Sequence, residues 1–276
     1  MSSPLVDVVE LRRLLGSAAV PTVLDVRYRM GGPSGVGEYA RGHVPGASYV
    51  DLDTALAAPP GRRGRHPLPD PVDFVGAMQR AGVPASGPVV VYDDWAGRAA
   101  ARCWWLLRHY GHRDVRVLDG GWSAWLAAGG EVETGLAPPP QGDFAGEPGA
   151  LPVVAPGEVL ELSGEGLLLD ARDAERYRGE VEPVDPVAGH IPGAGNVPTG
   201  VNLRADGTFR SVGELREVYA EAVAAAERDA PVAAYCGSGV TACHDLLALA
   251  TIGVEGALYP GSWSEWVTDP ARPVAH

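Results

Sequence analysis

"APVAAYCGSGVTACHDLLAL", Ala230 to Leu249, and "GPVVVYDDWAGRAAARCWWLL", Gly87 to Leu107, decide the fold. Each is a short apolar run, then a loop with glycine, then a stretch patterned as a helix. A buried strand feeding a helix through a tight loop is the unit of a parallel α/β sheet. Three more segments repeat in the same order. "TVLDVRYR" (Thr22 to Arg29) is echoed by "LLLDARDAERYRG" (Leu167 to Gly179), and "GHVPGASYV" (Gly42 to Val50) by "GHIPGAGNVP" (Gly189 to Pro198). "LDGGWSAW" (Leu118 to Trp125) returns as "YPGSWSEW" (Tyr259 to Trp266). A period of about 140 residues is too long for a solenoid and implies duplication of a whole domain.

The expected organisation is therefore two α/β domains, each a mostly parallel sheet flanked by helices, over residues 1–135 and 153–276. Between the copies, Thr134 to Gly157 is rich in Pro and Gly, and residues 136–152 read as a linker. In the second copy "GLLLD" and "PVAAYC" read as strands. "SVGELREVYAEAVAAAE" reads as a helix with Leu215, Val218, Tyr219 and Ala222 on one face and a Ser211/Glu214 capping box. "VTACHDLLALATIG" reads as a helix ending near Gly253.

With 276 residues and 46% hydrophobic content, a sizeable core can be buried without disulfide staples. A net charge of −13 opposes binding to nucleic acid or to anionic lipid. Three cysteines, Cys103, Cys236 and Cys243, make no disulfide framework and no zinc-like spacing, so no metal or cofactor is expected. The N-terminus lacks an apolar export signal, and no apolar run approaches a membrane span. The expectation is a reduced, cytoplasmic protein.

Cys236 closes an apolar run and opens "CGSGVT". Gly237 and Gly239 free the backbone so that successive amides, including those of Val240 and Thr241, can turn inward ahead of a helix. Such a cradle favours a thiolate over a thiol. The alternative for a lone cysteine is a buried structural thiol, which is how Cys103 and Cys243 read. A cysteine phosphatase needs an arginine six positions on, and Ala242 stands there. The first copy has Asp93 in place of the cysteine, so that half cannot perform thiolate chemistry. His43 and His190, and likewise Asp25 and Asp170, occur in both copies, so they read as parts of the fold, the histidines through a loop hydrogen bond.

Taken together, "GHIPGA", "LLDAR…RYRG", "CGSGVTA" and "GSWSEW" make the chain resemble two-domain sulfurtransferases of the rhodanese superfamily over nearly its full length, and the form of the active loop is similar to the 3-mercaptopyruvate branch. The resemblance implies tandem rhodanese-like domains, the second catalytic. It implies a Cys236 persulfide that takes sulfur from a small donor and passes it to a thiol such as thioredoxin, or to cyanide. It implies that Arg176 in "ERYRG" holds the donor carboxylate, as its planar fork suits. Ser238 would work with an aspartate and a histidine of the first domain, for which "SYVDLDTAL" offers Asp53 and "RHPLP" offers His66. One departure stands out. Where that branch usually carries a second substrate arginine, Asp185 occurs, and an aspartate repels a carboxylate. Arg178, Arg98 and Arg102 are candidates to substitute. A thiosulfate sulfurtransferase is the alternative enzyme, and a non-catalytic rhodanese-like binding or sulfur-sensing module the alternative of another class.

Overall fold

A computed structural model of the chain describes residues 3–136 and 139–276. Ala137 and Pro138 of the expected linker lie outside the described residues. The chain divides into two compact units: Met1–Ala58, Pro69–Leu151 and Ala205–Thr208 form one, and Pro59–Leu68, Pro152–Arg204 and Phe209–His276 the other. The short excursion Pro59–Leu68 thus belongs to the second unit, although it leaves and rejoins the chain of the first.

In the first unit the strands are β1 (Leu5–Val6), β2 (Thr22–Asp25), β3 (Ser48–Tyr49), β4 (Val89–Tyr92) and β5 (Val115–Leu118). They pair in the order β1-β5-β4-β2-β3, every pair parallel. The helices are α1 (Val8–Leu15), α2 (Gly35–Arg41), α3 (Leu52–Ala55), α4 (Pro71–Arg80), α5 (Arg98–His109) and α6 (Gly121–Ala127). Leu11, Val23, Tyr39, Val90, Tyr92 and Trp125 pack one core. The central helix α5 carries "ARCWWLL" and is buried almost all round, Arg102 and His109 included. From Pro139 onward the chain stays on this unit: Phe144 is buried, and its N–H bonds the carbonyl of Val83 at 3.1 Å.

The second unit repeats the plan with α7 (Val159–Glu165), β6 (Leu167–Asp170), α8 (Ala174–Tyr177), β7 (Gly195–Asn196), α9 (Val212–Val218), α10 (Ala220–Ala226), β8 (Val232–Tyr235), α11 (Ala242–Thr251), β9 (Ala257–Leu258) and α12 (Ser262–Trp266). Its sheet runs β7-β6-β8-β9, again wholly parallel. Leu168, Ile191, Tyr235, Tyr259, Trp263 and Trp266 fill its core. The fold is the expected α/β duplication. The expected single helix over "SVGELREVYAEAVAAAE" is two, because Tyr219 leaves helical geometry (φ −103°, ψ 31°) between α9 and α10. Leu215, Tyr219 and Ala222 are buried as its pattern requires, and the Ser211/Glu214 capping box is present.

The repeated motifs do the same structural work twice. Asp25 pairs with Arg27 and Asp170 with Arg172, each through a two-pronged buried ion pair with a shortest distance of 2.6 Å. Arg27 also donates to the carbonyl of Gly42 and Arg172 to that of Gly189, at 2.6 and 2.7 Å, so each pair anchors its "GH" loop. His43 Nδ1 bonds the carbonyl of Tyr39 at 2.9 Å, and His190 Nδ1 that of Tyr177 at 2.8 Å. Each histidine stacks on the same tyrosine, with ring centroids 3.9 and 3.8 Å apart.

Candidate active site

Cys236 follows β8 directly, between the strand and α11, at the carboxyl edge of the second sheet. Its side chain is 1% exposed, and its Sγ accepts the Gly239 N–H at 3.1 Å. Gly239 has φ of +77°, and a Cβ there would collide with the Pro260 carbonyl. Glycine is therefore required twice over, for its dihedral and for the close approach. Val240 is buried, and Thr241 caps α11. The repeated "PGSW" turn holds the loop from below. Trp263 and Ser264 donate their N–H groups to the carbonyls of Cys236 and Gly237 at 3.0 and 2.9 Å. Ser262, a non-glycine residue at φ +53°, accepts the Cys236 N–H on its Oγ at 3.1 Å and donates to the Tyr259 carbonyl at 2.9 Å. That strained backbone is kept where it fixes the cysteine.

The first unit shows what such a loop can hold. Asp93, fully buried, accepts the N–H groups of Trp95, Gly97, Ala99 and Ala100 on its carboxylate oxygens at 2.7 to 2.9 Å. Burial pushes the Asp93 carboxyl up from its ordinary value, and the four amides offset that only in part. The loop thus closes on a carboxyl group of its own in one copy and on a sulfur in the other. Cys103 is buried in α5, and burial pushes its thiol well up. Cys243 donates to the Gly239 carbonyl at 3.4 Å and supports the loop from α11.

The segment Pro59–Leu68 reaches this site within its own unit. Gly61 and Gly64 exchange backbone hydrogen bonds at 3.0 Å, closing a tight turn. Arg65 donates its N–H to Ser264 Oγ at 3.1 Å. His66 Nδ1 then lies 2.7 Å from Ser238 Oγ. Asp53 stands exposed in the first turn of α3, in the first unit.

A cluster of charges flanks the loop. Arg176, from α8, grips Glu182 through Nε and Nη2 at 3.2 and 2.6 Å, and its Nη2 reaches Asp185 at 3.3 Å. Arg65 Nη1 is bonded to Asp185. Glu182 and Asp185 side chains are each only 4% exposed. Burial works to raise the Glu182 pKa, but its bond from Arg176 and the N–H groups of Asp185 and Val184 bring it below the ordinary range. Burial pushes Asp185 up, its two arginine neighbours offsetting that only in part. Arg178 pairs with Glu180 at the surface, while Arg98 and Arg102 belong to α5 of the first unit. Arg65, Glu182 and Ser262 were not singled out by sequence. Arg65 lies in "GRRGRH", where three arginines look alike, and only the fold shows which one reaches the active loop.

A rhodanese-like domain model matches residues 7–128 and 155–269. The chain belongs to the rhodanese family. A Pseudomonas aeruginosa relative that carries a 3-mercaptopyruvate sulfurtransferase name is 48% identical over 92% of this chain and 91% of its own length. A Mycobacterium tuberculosis (strain H37Rv) relative carrying a thiosulfate sulfurtransferase name is 44% identical over 98% of this chain and 96% of its own. The crystal structure of SseA from Escherichia coli, described with the rhodanese fold and the catalytic mechanism of 3-mercaptopyruvate sulfotransferases, superposes with a TM-score of 0.81 at 34% identity, covering 96% of this chain and all of that one. Both rhodanese domains of the family are thus present, and the cysteine is in the second. Among the described residues no helix is long and apolar enough to cross a membrane, and no group of three or more His, Cys, Asp or Glu is placed to hold a metal ion.

Proposed function

We propose that this rhodanese moves a sulfane sulfur from 3-mercaptopyruvate, through a persulfide on Cys236, to a thiol or to cyanide. The Cys236 thiolate attacks the thiol sulfur of the donor. An S–S bond forms, the donor C–S bond breaks, and the electron pair leaves on carbon as the enolate of pyruvate. The enolate takes a proton and departs. An acceptor thiolate, such as that of thioredoxin, then attacks the outer sulfur and returns Cys236 to its thiolate. One transfer is split into two easier ones. The loop amides of Gly237, Gly239, Val240 and Thr241 hold the thiolate and then the persulfide, and Arg176 faces the donor carboxylate. The first domain, with Asp93 in its loop, is non-catalytic and supplies scaffold. Three unpaired cysteines suit a reducing compartment, the cytoplasm.

The observation that carries the choice of donor is the contact between His66 Nδ1 and Ser238 Oγ. A carbon leaving group must be protonated, and Ser238, two residues beyond the nucleophile and backed by an imidazole, can deliver that proton. Asp53 is the further member of this relay. Thiosulfate would leave as sulfite, which needs no proton, so this pair would have no task. The deciding experiment compares kcat/KM for the two donors with cyanide as acceptor. A hundredfold preference for thiosulfate, about 2.7 kcal/mol, would overturn the donor assignment, and no transfer from either donor would overturn sulfur transfer itself.

A further inference from the structure

Two arginines, not one, converge on the active loop. A Cβ built on Gly237 would stand 2.8 Å from Arg65 Nη2 and 3.5 and 3.7 Å from Arg176 Nη1 and Nη2. Gly237 is the residue after the nucleophile, so both guanidiniums stand beside the active loop next to Cys236. Arg65 is held there by design of its own segment. Gly64 has φ of +99°, and a Cβ on it would lie 2.7 Å from the Gly261 carbonyl and 2.9 Å from Ser264 Oγ. This close seat fixes the backbone next to the turn that carries the Cys236 loop, and the Arg65 N–H bonds Ser264.

The donors of Arg65 are only partly used. Nη1 is bonded to Asp185. Nε is buried and has no hydrogen-bond partner among the described residues. A buried guanidinium N–H with no acceptor is costly, and it is the Nη2 edge of the same group that borders the active loop at Gly237. Asp185, the residue that would repel a carboxylate if it stood alone, is instead spent on cations. It touches Arg65 on one side and Arg176 on the other, and lets two like charges stand side by side. Glu182 joins the cluster from the other side, paired with Arg176 at 2.6 Å and with Arg172 at 3.4 Å, and both carboxylates are shielded from solvent.

We propose that Arg65 is the second substrate-binding cation, that Asp185 positions it, and that the two arginine edges together grip the carboxylate of a small 2-oxo acid donor. The missing arginine at position 185 is replaced from across the site by Arg65, with Asp185 turned from a repulsive group into its tether. A carboxylate offers two oxygens in one plane, which suits planar guanidinium edges. The assignment rests on the sulfurtransfer reading and names the residue that gives it donor specificity.

The test uses the full-length protein and two donors, 3-mercaptopyruvate and mercaptoacetone, in which a methyl replaces the carboxylate. Arg65→Met should raise KM for 3-mercaptopyruvate by about tenfold or more, leave its kcat within about threefold, and leave the mercaptoacetone KM within about twofold. Arg65→Lys keeps the charge and the Asp185 tether but has no fork, and should fall between wild type and Arg65→Met. A merely structural role would move both donors alike. An unchanged ratio of the two KM values in folded Arg65→Met, or in Arg65→Lys should the first variant not fold, overturns the proposal. If the wild-type protein takes no sulfur from 3-mercaptopyruvate at all, it is the choice of donor under the proposed function that fails, before any variant is compared.

Discussion

His66 Nδ1 and Ser238 Oγ stand 2.7 Å apart, although 172 residues separate them in the chain. The contact is made inside the second unit, because Pro59–Leu68 folds with it. If this pair protonates the departing enolate, Ser238→Ala should lower kcat with 3-mercaptopyruvate by about a hundredfold, within the usual worth of a positioned proton donor. With thiosulfate the same variant should keep its kcat within about threefold, since sulfite leaves unprotonated. His66→Gln should follow the same split. Steady-state kinetics with both donors and cyanide decide it, and equal losses on the two donors would remove the proton-transfer role.

Cys236 is the sulfur held by the loop, while Cys103 and Cys243 are packed into helices α5 and α11. Incubation with donor should therefore add one sulfur atom to the wild-type chain, located by peptide mass spectrometry on Cys236. Cys236→Ser should gain none and lose all transfer, with an unchanged circular dichroism spectrum. A sulfur found on Cys103 or Cys243, or activity retained by the serine variant, contradicts a Cys236 persulfide.

Asp93 supplies four acceptor contacts to buried amides in the first unit. Asp93→Ala leaves those N–H groups without a partner, and orphaned buried donors cost about 1–3 kcal/mol each where water cannot reach them. Allowing for partial relaxation, the variant should lose about 2–4 kcal/mol of stability in urea unfolding. Transfer per folded molecule should stay near wild type, since the sulfur chemistry belongs to the other loop. A loss below about 0.5 kcal/mol would show that the amides find other partners.

The duplication carried most of what the sequence revealed. Two copies of a strand–loop–helix segment, one with Cys236 and one with Asp93, separate what the fold needs from what the chemistry adds. Asp25, Asp170, His43 and His190 could be set aside for the same reason, and each is bound into its loop. What stayed hidden came from single-copy loops. The segment "GRRGRH" has no counterpart to compare and no periodicity, and its destination depends on glycine contacts with a turn some 200 residues later. Asp185 was legible as a departure, but its meaning was not, because a carboxylate repels a substrate or tethers an arginine according to a neighbour the sequence cannot place. The break at Tyr219 was missed because the buried face continues across it, and periodicity alone does not register a shift in φ and ψ.

His112 gives the first unit a sensitivity to acid. It follows α5, its ring is 5% exposed, and Phe144 packs near it with ring centroids 6.0 Å apart. Burial lowers its pKa from the ordinary value of 6.5, against weaker opposing effects from the Pro84 backbone and Asp114. His109 is lowered too, chiefly by burial, with Arg102 adding to the effect and a bond to the Leu151 carbonyl opposing it. A histidine depressed in the folded state is neutral there while the unfolded chain takes up the proton. Its contribution to stability is complete above the unfolded pKa and is lost as pH falls through the folded one. Urea midpoints should therefore drop between about pH 7.5 and about pH 5 in the wild type. His112→Phe, which fills the same apolar space without a titrating group, should show a shallower drop over that window. Midpoints falling in parallel for the two proteins would mean that His112 takes its proton as readily folded as unfolded, and that the acid sensitivity lies elsewhere.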